Sequence, residues 1–551
     1  LNIQKLIIEA IKEAVQKNID AKIFPQAQIP DIVLEVPPQK DYGDFATNFA
    51  MQSARVFHMA PRKIAEELIK QIESEYLVKA EIAGPGFINF YLKAEVVHNQ
   101  LKDVIDKGLS YGNLPAKEHA RIQVEYVSAN PTGPLHVGHG RGAAFGSALV
   151  NLLRAAGYDV QSEYYINDAG NQVDNLAASV NARYLELLGK DTEFPENGYH
   201  GHDIIDTAQR IIDKENDKYL SMDNDERLAI FKELALKEKL AALKEDLAAF
   251  NVHFDKWFSE RTLHPAAVED ACAVLMKNGA MYEKDGAKWL KSTEYGDDKD
   301  RVVIRDNGVP TYLAADIAYH KNKYERGFDK LINIWGADHH GYICRVKASM
   351  KALGFDADKL DVLLLQMVSL YRNGELVKMS KRTGQSVTLS ELIEEVGSDA
   401  ARYFFIMRSL DSQLDFDLDL AKSESSENPV YYVQYAHARI CSIFRQAKEA
   451  GITVDENTDY SLLTDEAEQA LMKKILSYTD EINSAARDYA PHRIANYAHD
   501  LAADFHSFYN KCRIIGVDMP LAQARLGLAA AAKNTINHAL NILGVNSPEK
   551  M

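Results

Sequence analysis

Residues 122–166 constrain the fold more than any other stretch. An apolar run, Ile122 to Val127, reads as a strand, and a loop with two prolines and a glycine follows, Ser128 to Leu135. The apolar-periodic segment Val137 to Gly157 predicts a helix closed by its last glycine, and Val160 to Ile166 predicts a second strand. Strand, loop, helix and strand in this order form the repeating unit of doubly wound α/β domains. The loop enters its helix through His136-Val137-Gly138-His139-Gly140-Arg141-Gly142. A helix N-terminus offers free backbone N–H groups and a positive dipole end, which suit phosphate. Two histidines one turn apart can both face a triphosphate, and Gly138 leaves bare backbone against which a flat base can lie. A metal site, or two histidines that merely start a helix, fits the same residues.

A chain of 551 residues exceeds a single hydrophobic core, which stops growing near roughly 250–300 residues. Residues 1–114 mix helical patterns (3–18, 61–76) with strand-like runs, Ile32 to Val36 and Phe87 to Leu92. They predict a small α+β domain, ended by linker chemistry at Gly108, Gly112, Asn113 and Pro115. Residues 115–420 predict the α/β domain, interrupted by a charged, mostly helical insertion at about 171–300. The α/β character resumes at Arg301 to Arg305, a turn at Asp306-Asn307-Gly308, Thr311 to Leu313, Leu331 to Trp335 and Leu360 to Val368. Residues 421–551 predict an all-α bundle, with helical runs near 428–450, 465–488, 490–513 and 521–543.

Composition excludes several classes. With 46% hydrophobic and 26% charged residues the chain reads as a soluble globular protein, and no apolar run approaches the roughly 20 residues of a membrane span. The N-terminal segment is amphipathic and is not patterned as a signal peptide. Cys272, Cys344, Cys441 and Cys512 lie far apart without CxxC spacing, which argues against a protein-held metal and for free thiols in the cytoplasm. A net charge of −17 is not that of a uniformly basic nucleic-acid binder. Any RNA must meet a local basic face, and its binding must then depend strongly on salt.

A second stretch, Lys378-Met379-Ser380-Lys381-Arg382, follows a strand and a loop. Alone it fits a solvated basic loop as well as a phosphate clamp, in which lysines neutralise charge developing at phosphorus. Paired with the first, 242 positions upstream (378 − 136), it is far more specific. The two stretches resemble the signature motifs of class I aminoacyl-tRNA synthetases, in the right order and flanking a helical insertion. The resemblance implies a Rossmann-type catalytic domain that uses ATP with substrate-associated Mg2+. Its catalytic residues would be His136, His139, Lys378 and Lys381, with Gly138, Met379 and Ser380 also contacting ATP. Arg382 departs from the serine that commonly ends the second motif, and both lysines remain.

Glu125-Tyr126-Val127-Ser128-Ala129-Asn130-Pro131 and Tyr312-Leu313-Ala314-Ala315-Asp316 resemble the arginyl-specific version of the family. A guanidinium is a planar five-donor cation that needs carboxylates in a fork. By resemblance Tyr312 and Asp316 face it, while Glu125, Ser128 and Asn130 hold the amino and carboxylate ends. Trp335-Gly336-Ala337-Asp338-His339-His340-Gly341 is expected to line the pocket, with His340 as a candidate contact. Asp41 to Asn48 and Gly84 to Phe90 resemble the additional N-terminal domain of arginyl enzymes, in which Phe87 would stack on a tRNA base and Asn89 bond its edge. Asn428 to Arg439 resembles the opening of the family's anticodon-binding bundle, with Tyr432, Gln434 and Arg439 as RNA candidates; tyrosines at this spacing are otherwise core. The implied partners are L-arginine, ATP and tRNA(Arg), with a monomeric chain. A different class I synthetase, or a non-catalytic tRNA-binding paralogue, is the alternative. The first leaves the N-terminal domain and the Tyr312/Asp316 pair unexplained; the second has no reason to keep both histidines and both lysines.

Overall fold

A computed structural model describes residues 3–35, 37, 42–118, 120–377 and 386–551. The chain divides into two compact units. The larger comprises Leu109–Ile443, Ser477–His506 and Lys533–Met551. At its centre five parallel strands lie in the order Leu360–Leu365, Lys330–Gly336, Arg121–Glu125, Asp159–Ile166 and Lys256–Ser259. Counted along the chain this is the order 5-4-1-2-3 of a doubly wound sheet. The winding reverses between the first and fourth strands, and ligands of such sheets sit at the carboxyl ends beside that reversal. Ile122, Val124, Ile332 and Ile334 are buried, as strands covered on both faces require. Glu125, Glu163 and Asn333 are buried too, and they mark the site described below.

The helix after the first strand, Val137–Ala155, is buried on nearly every side. Glycines make that possible. A Cβ at Gly146 would lie 2.3 Å from the Tyr126 ring, and one at Gly140 would lie 2.8 Å from Leu389. The chain leaves this helix through Gly157 at φ +88°, the left-handed closing position the sequence predicts.

The interrupting stretch differs from its sequence reading. Helices Asn171–Leu187, His202–Glu215 and Asn224–Ala249 do pack on one another around Leu176, Tyr184, Ile204 and Phe231. One further helix follows, Ala266–Lys277, but strands enter the stretch as well. Lys256–Ser259 returns as the edge strand of the central sheet, and Met281–Lys284, Ala287–Leu290 and Arg301–Ile304 form a separate antiparallel sheet. Arg301–Ile304 is legible in the sequence; the other three are four residues long and carry lysine, so their alternation is too short to register there. Thr311 to Leu313 is no strand either. Thr311 precedes the helix Tyr312–Glu325, whose buried Leu313, Ala314, Ile317 and Ala318 recur at helical spacing. The run Leu360 to Val368 is split, since Val368–Arg372 leaves the central sheet for a smaller one with Glu375–Val377 and Leu414–Asp417.

The smaller unit comprises Leu1–Gly108, Phe444–Leu476 and Ser507–Ala532. Its antiparallel sheet runs Phe45–Thr47, Phe87–Leu92, Leu77–Ala83, with helices Ile3–Asp20 and Pro61–Gln71 supplying the apolar cover. Of the expected run Ile32 to Val36, Glu35 makes a single bridge to Ala46. Helices follow at Pro429–Glu449, Glu466–Leu476, Tyr478–Arg487, His492–Lys511 and Met519–Leu543, the run at 465–488 being broken at Ser477. Compactness thus shares the C-terminal helices between the units. Within the smaller unit Lys473 pairs with Asp44 at 2.5 Å, and Lys102 donates to the Glu456 carbonyl.

Candidate active site

His136 caps the N-terminus of the glycine-rich helix, and His139 is the third residue inside it. The two side chains form a reciprocal capping box: each Nδ1 accepts the other's backbone N–H, at 3.4 and 3.3 Å. The rings stack with centroids 3.6 Å apart. A Cβ at Gly138 would stand 3.0 Å from the His136 ring, so this glycine gives the pair its room. Burial lowers both imidazoles, His139 to about 4, with the neighbouring ring adding to the effect. Both rings are therefore neutral near pH 7, and with each Nδ1 accepting, each Nε2 carries the proton as a donor. Arg141, 1% exposed, donates to the carbonyls of Gln366 and Ser409 and ties the first turn to two neighbouring loops.

Glu125 ends the first strand. Val127 and Ser128 then turn the chain with φ of +67° and +43°, a conformation non-glycine residues seldom hold. The turn lets Ser128 Oγ donate to Glu125 Oε1 at 3.0 Å and accept the Tyr165 N–H. Glu125 Oε2 is bonded by Lys323, which is fully buried and also donates to Asn333 Oδ1 at 2.8 Å. On the next strand, in register with Glu125, Glu163 is held by Arg326 and by the Tyr319 hydroxyl. The helix Tyr312–Glu325 thus supplies its own cation to Glu125, and Arg326 just beyond it serves Glu163.

Asp316 is on the same helix, one turn after Tyr312. Tyr312 is 54% exposed, and Asp316 is half-buried. The Tyr342 hydroxyl donates to Asp316 Oδ2. Burial raises the Asp316 carboxyl to about 6; the Tyr342 bond opposes this, while Glu260 and Glu125 add to it. Glu260 is raised by burial as well. Two carboxylates without a full cationic partner therefore stand where the sequence expects a guanidinium. Trp335-Gly336 ends the fourth strand, and Ala337–Tyr342 forms a 3-10 turn with His340 exposed on it. Asn130 is exposed beside Pro131. Sequence reasoning missed Lys323, Arg326, Glu163, Glu260 and Tyr342. Lys323, Arg326 and Glu163 sit among other charged residues with nothing local to single them out. Tyr342 lies one residue beyond the Trp335 to Gly341 motif.

Lys378, Met379, Ser380 and Lys381 lie outside the described residues. Their flanks do not. Glu375–Val377 precedes them, and Val387 to Leu389 follows. The Val387 carbonyl accepts the Val137 N–H, and the Leu389 N–H donates to Leu135, so the chain returns from that stretch to the histidine turn.

Of the RNA candidates, Phe87 is 37% exposed at the start of its strand, whereas Asn89 is 4% exposed and does not present its amide to solvent. Gln434 is a further correction. It is buried, and its amide donates to Asp399 and to the Asn546 carbonyl, fastening the C-terminal tail. Tyr432 and Arg439 are half-buried; Tyr432 lies against His499 and His506, and Arg439 covers the Tyr435 ring.

Three family models match the chain: an arginyl tRNA synthetase N-terminal domain at residues 2–92, a class I (R) tRNA synthetase catalytic domain at 100–409, and a DALR anticodon-binding domain at 433–551. Arginine–tRNA ligase 1 of Halalkalibacterium halodurans is 53% identical, over 99% of this chain and all of its own. Arginine–tRNA ligase of Heliobacterium modesticaldum is 51% identical, over 100% and 99%. Among solved structures, the arginyl-tRNA synthetases of Thermus thermophilus (TM-score 0.79, 23% identity, 99% of this chain and 100% of that one) and Plasmodium falciparum (0.75, 17%, 100% and 99%) share the fold. The switch-point histidines, the carboxylate pocket and these full-length matches agree, and the chain belongs to the arginyl-tRNA synthetase family.

Proposed function

We propose how the residues at the sheet's switch point carry out the reaction of this family. The chain is an arginine–tRNA ligase. It joins L-arginine to ATP as arginyl-adenylate with loss of pyrophosphate, then passes the arginyl group to the 3'-terminal adenosine of tRNA(Arg) and releases AMP. One observation carries the assignment of roles: a neutral, mutually capped histidine pair at a helix N-terminus, at the same end of the sheet as Asp316 and Glu260, whose carboxyls burial raises.

The arginine carboxylate attacks the α-phosphorus, and negative charge builds on the phosphate oxygens. His136 and His139 each donate an Nε2–H to those oxygens, aided by the helix N-terminus. Being fixed by their Nδ1 bonds, they need no reorganisation as the charge grows. Gly138 leaves room for the nucleotide. Lys378 and Lys381, with Met379 and Ser380, close over the phosphates from the stretch that returns at Val387. Asp316 and Glu260 take the guanidinium beneath Tyr312, with His340 at the rim. Glu125, Ser128 and Asn130 hold the α-ammonium and carboxylate. Mg2+ enters with the triphosphate, whose oxygens and waters are the hard ligands it takes. Among the described residues no group of three or more His, Cys, Asp or Glu side chains is gathered to hold a metal. Phe87, Tyr432 and Arg439 contact tRNA.

We divide the chain at about 114 and 421 into tRNA-recognition, catalytic and anticodon-binding parts, and expect it to work as a monomer in the cytoplasm. No described helix is long and apolar enough to cross a membrane. Arginine-dependent exchange of pyrophosphate into ATP, with tRNA(Arg) present, tests the chemistry. Loss of that exchange in His139→Ala is expected; a near-normal rate removes the histidine from the mechanism.

A further inference from the structure

Tyr342 has no role in the scheme above, yet its hydroxyl makes a neutral hydrogen bond to Asp316 at the guanidinium site. It closes the 3-10 turn Ala337–Tyr342 and leads into the helix Ile343–Ala352. Its ring is held on two sides, by the Arg345 guanidinium 4.4 Å from the ring centre and by Trp335, edge-on at 6.1 Å. A phenol fixed in this way has one direction for its hydroxyl, and that direction is Asp316 Oδ2. A carboxylate offers about four lone pairs. One is taken by Tyr342, leaving Oδ1 and the second face of Oδ2 for the parallel donors of a guanidinium.

We propose that Tyr342 is a positioning residue for arginine: its hydroxyl fixes the rotation of Asp316 and favours the carboxylate anion that the substrate's guanidinium must meet. This rests on the assignment of Asp316 to the guanidinium. The surroundings explain why such a device is needed. Glu260 faces Asp316 from the turn Glu260–Leu263 and Glu125 faces it from the first strand, and both disfavour a further negative charge. Tyr165 stands nearby on the second strand. Arg345, from the helix after Tyr342, supplies an opposing charge. With burial, these hold the carboxyl at about 6, and the Tyr342 bond is the largest of the influences lowering it. Without that bond Asp316 takes up its proton at higher pH, and a protonated carboxyl cannot pair with a guanidinium.

The test compares wild type, Tyr342→Phe and Asp316→Asn in aminoacylation, reading KM for arginine and for ATP from about pH 5.5 to about 8.5. Tyr342→Phe is expected to raise the arginine KM roughly fivefold or more near pH 6, but by less than about threefold near pH 8, because a hydrogen bond to a charged group shifts its titration by about one pH unit. The ATP KM stays at the wild-type value. Asp316→Asn is expected to raise the arginine KM at every pH. A Tyr342→Phe penalty of the same size at all pH values makes the tyrosine a simple pocket wall and overturns the proposal. If Asp316→Asn raises the arginine KM while Tyr342→Phe keeps the wild-type profile, the role of Tyr342 alone falls. If Asp316→Asn leaves the arginine KM unchanged, the assignment of Asp316 falls and the proposal with it.

Discussion

Asp316 shows how a single residue trades stability for function. In the folded chain it titrates at about 6, above the 3.8 of an ordinary aspartate. The folded state thus holds this proton better than the unfolded state does. The stability so gained is full below about pH 4 and is lost as pH rises through about 6. At neutral pH the substrate-free pocket keeps a destabilising carboxylate, costing at most roughly 3 kcal/mol. Asp316→Asn should therefore raise the melting temperature at pH 8, leave it nearly unchanged near pH 4, and cripple arginine use. Equal melting temperatures at pH 8 would show that the carboxylate is not strained. At His139 the expectation is kinetic: replacement by Ala should slow adenylate formation on the order of 10²–10³-fold, as loss of a preorganised donor does, measured by pyrophosphate exchange. Both residues are legible in the sequence because each sits in a short, ordered motif. Lys323 and Glu163 are not, because each pairs with a residue distant in sequence, Glu125 and Arg326, and such pairs leave no local pattern.

Among the elements, the glycine-rich helix Val137–Ala155 and the turn beside it are most exposed to test. Gly146→Ala places a methyl 2.3 Å from the Tyr126 ring and should destabilise the protein by about 1–3 kcal/mol, read by denaturant unfolding. An unchanged midpoint would mean that the Tyr126 ring yields freely. Thr388 caps the helix Leu389–Val396, accepting the Glu391 N–H at 3.1 Å while Glu391 accepts its own N–H. It also bridges to His136. Thr388→Ala should cost about 1 kcal/mol and slow adenylate formation as well, since the same turn anchors the end of the lysine stretch. A loss of stability with full activity would separate the cap from the chemistry. The long elements were legible because their apolar spacing persists over several turns, as in Val137–Ala155 and Met519–Leu543. Four-residue strands such as Lys256–Ser259 and Met281–Lys284 were not, since tertiary pairing and not local pattern makes them strands.

At the scale of the molecule, the strand order places the reaction. The histidine turn follows the first strand, and the Trp335-Gly336 turn follows the fourth, on either side of the point where the winding reverses. That order could not be read from the sequence, because Lys256–Ser259 was hidden within a stretch read as insertion. The family resemblance supplied the site without it. The net charge of −17 has its consequence here too. With an acidic whole and local basic contacts, the KM for tRNA(Arg) should rise steeply with salt while that for arginine stays nearly level; parallel behaviour would place the salt effect elsewhere. The central claim is that this pocket selects arginine for transfer to tRNA. Its most direct test is the charging of tRNA by the purified chain with each of the standard amino acids in turn. Arginine alone should be attached, and Asp316→Asn should attach it only with a raised arginine KM. Charging with a different amino acid, or none with arginine, would contradict the account.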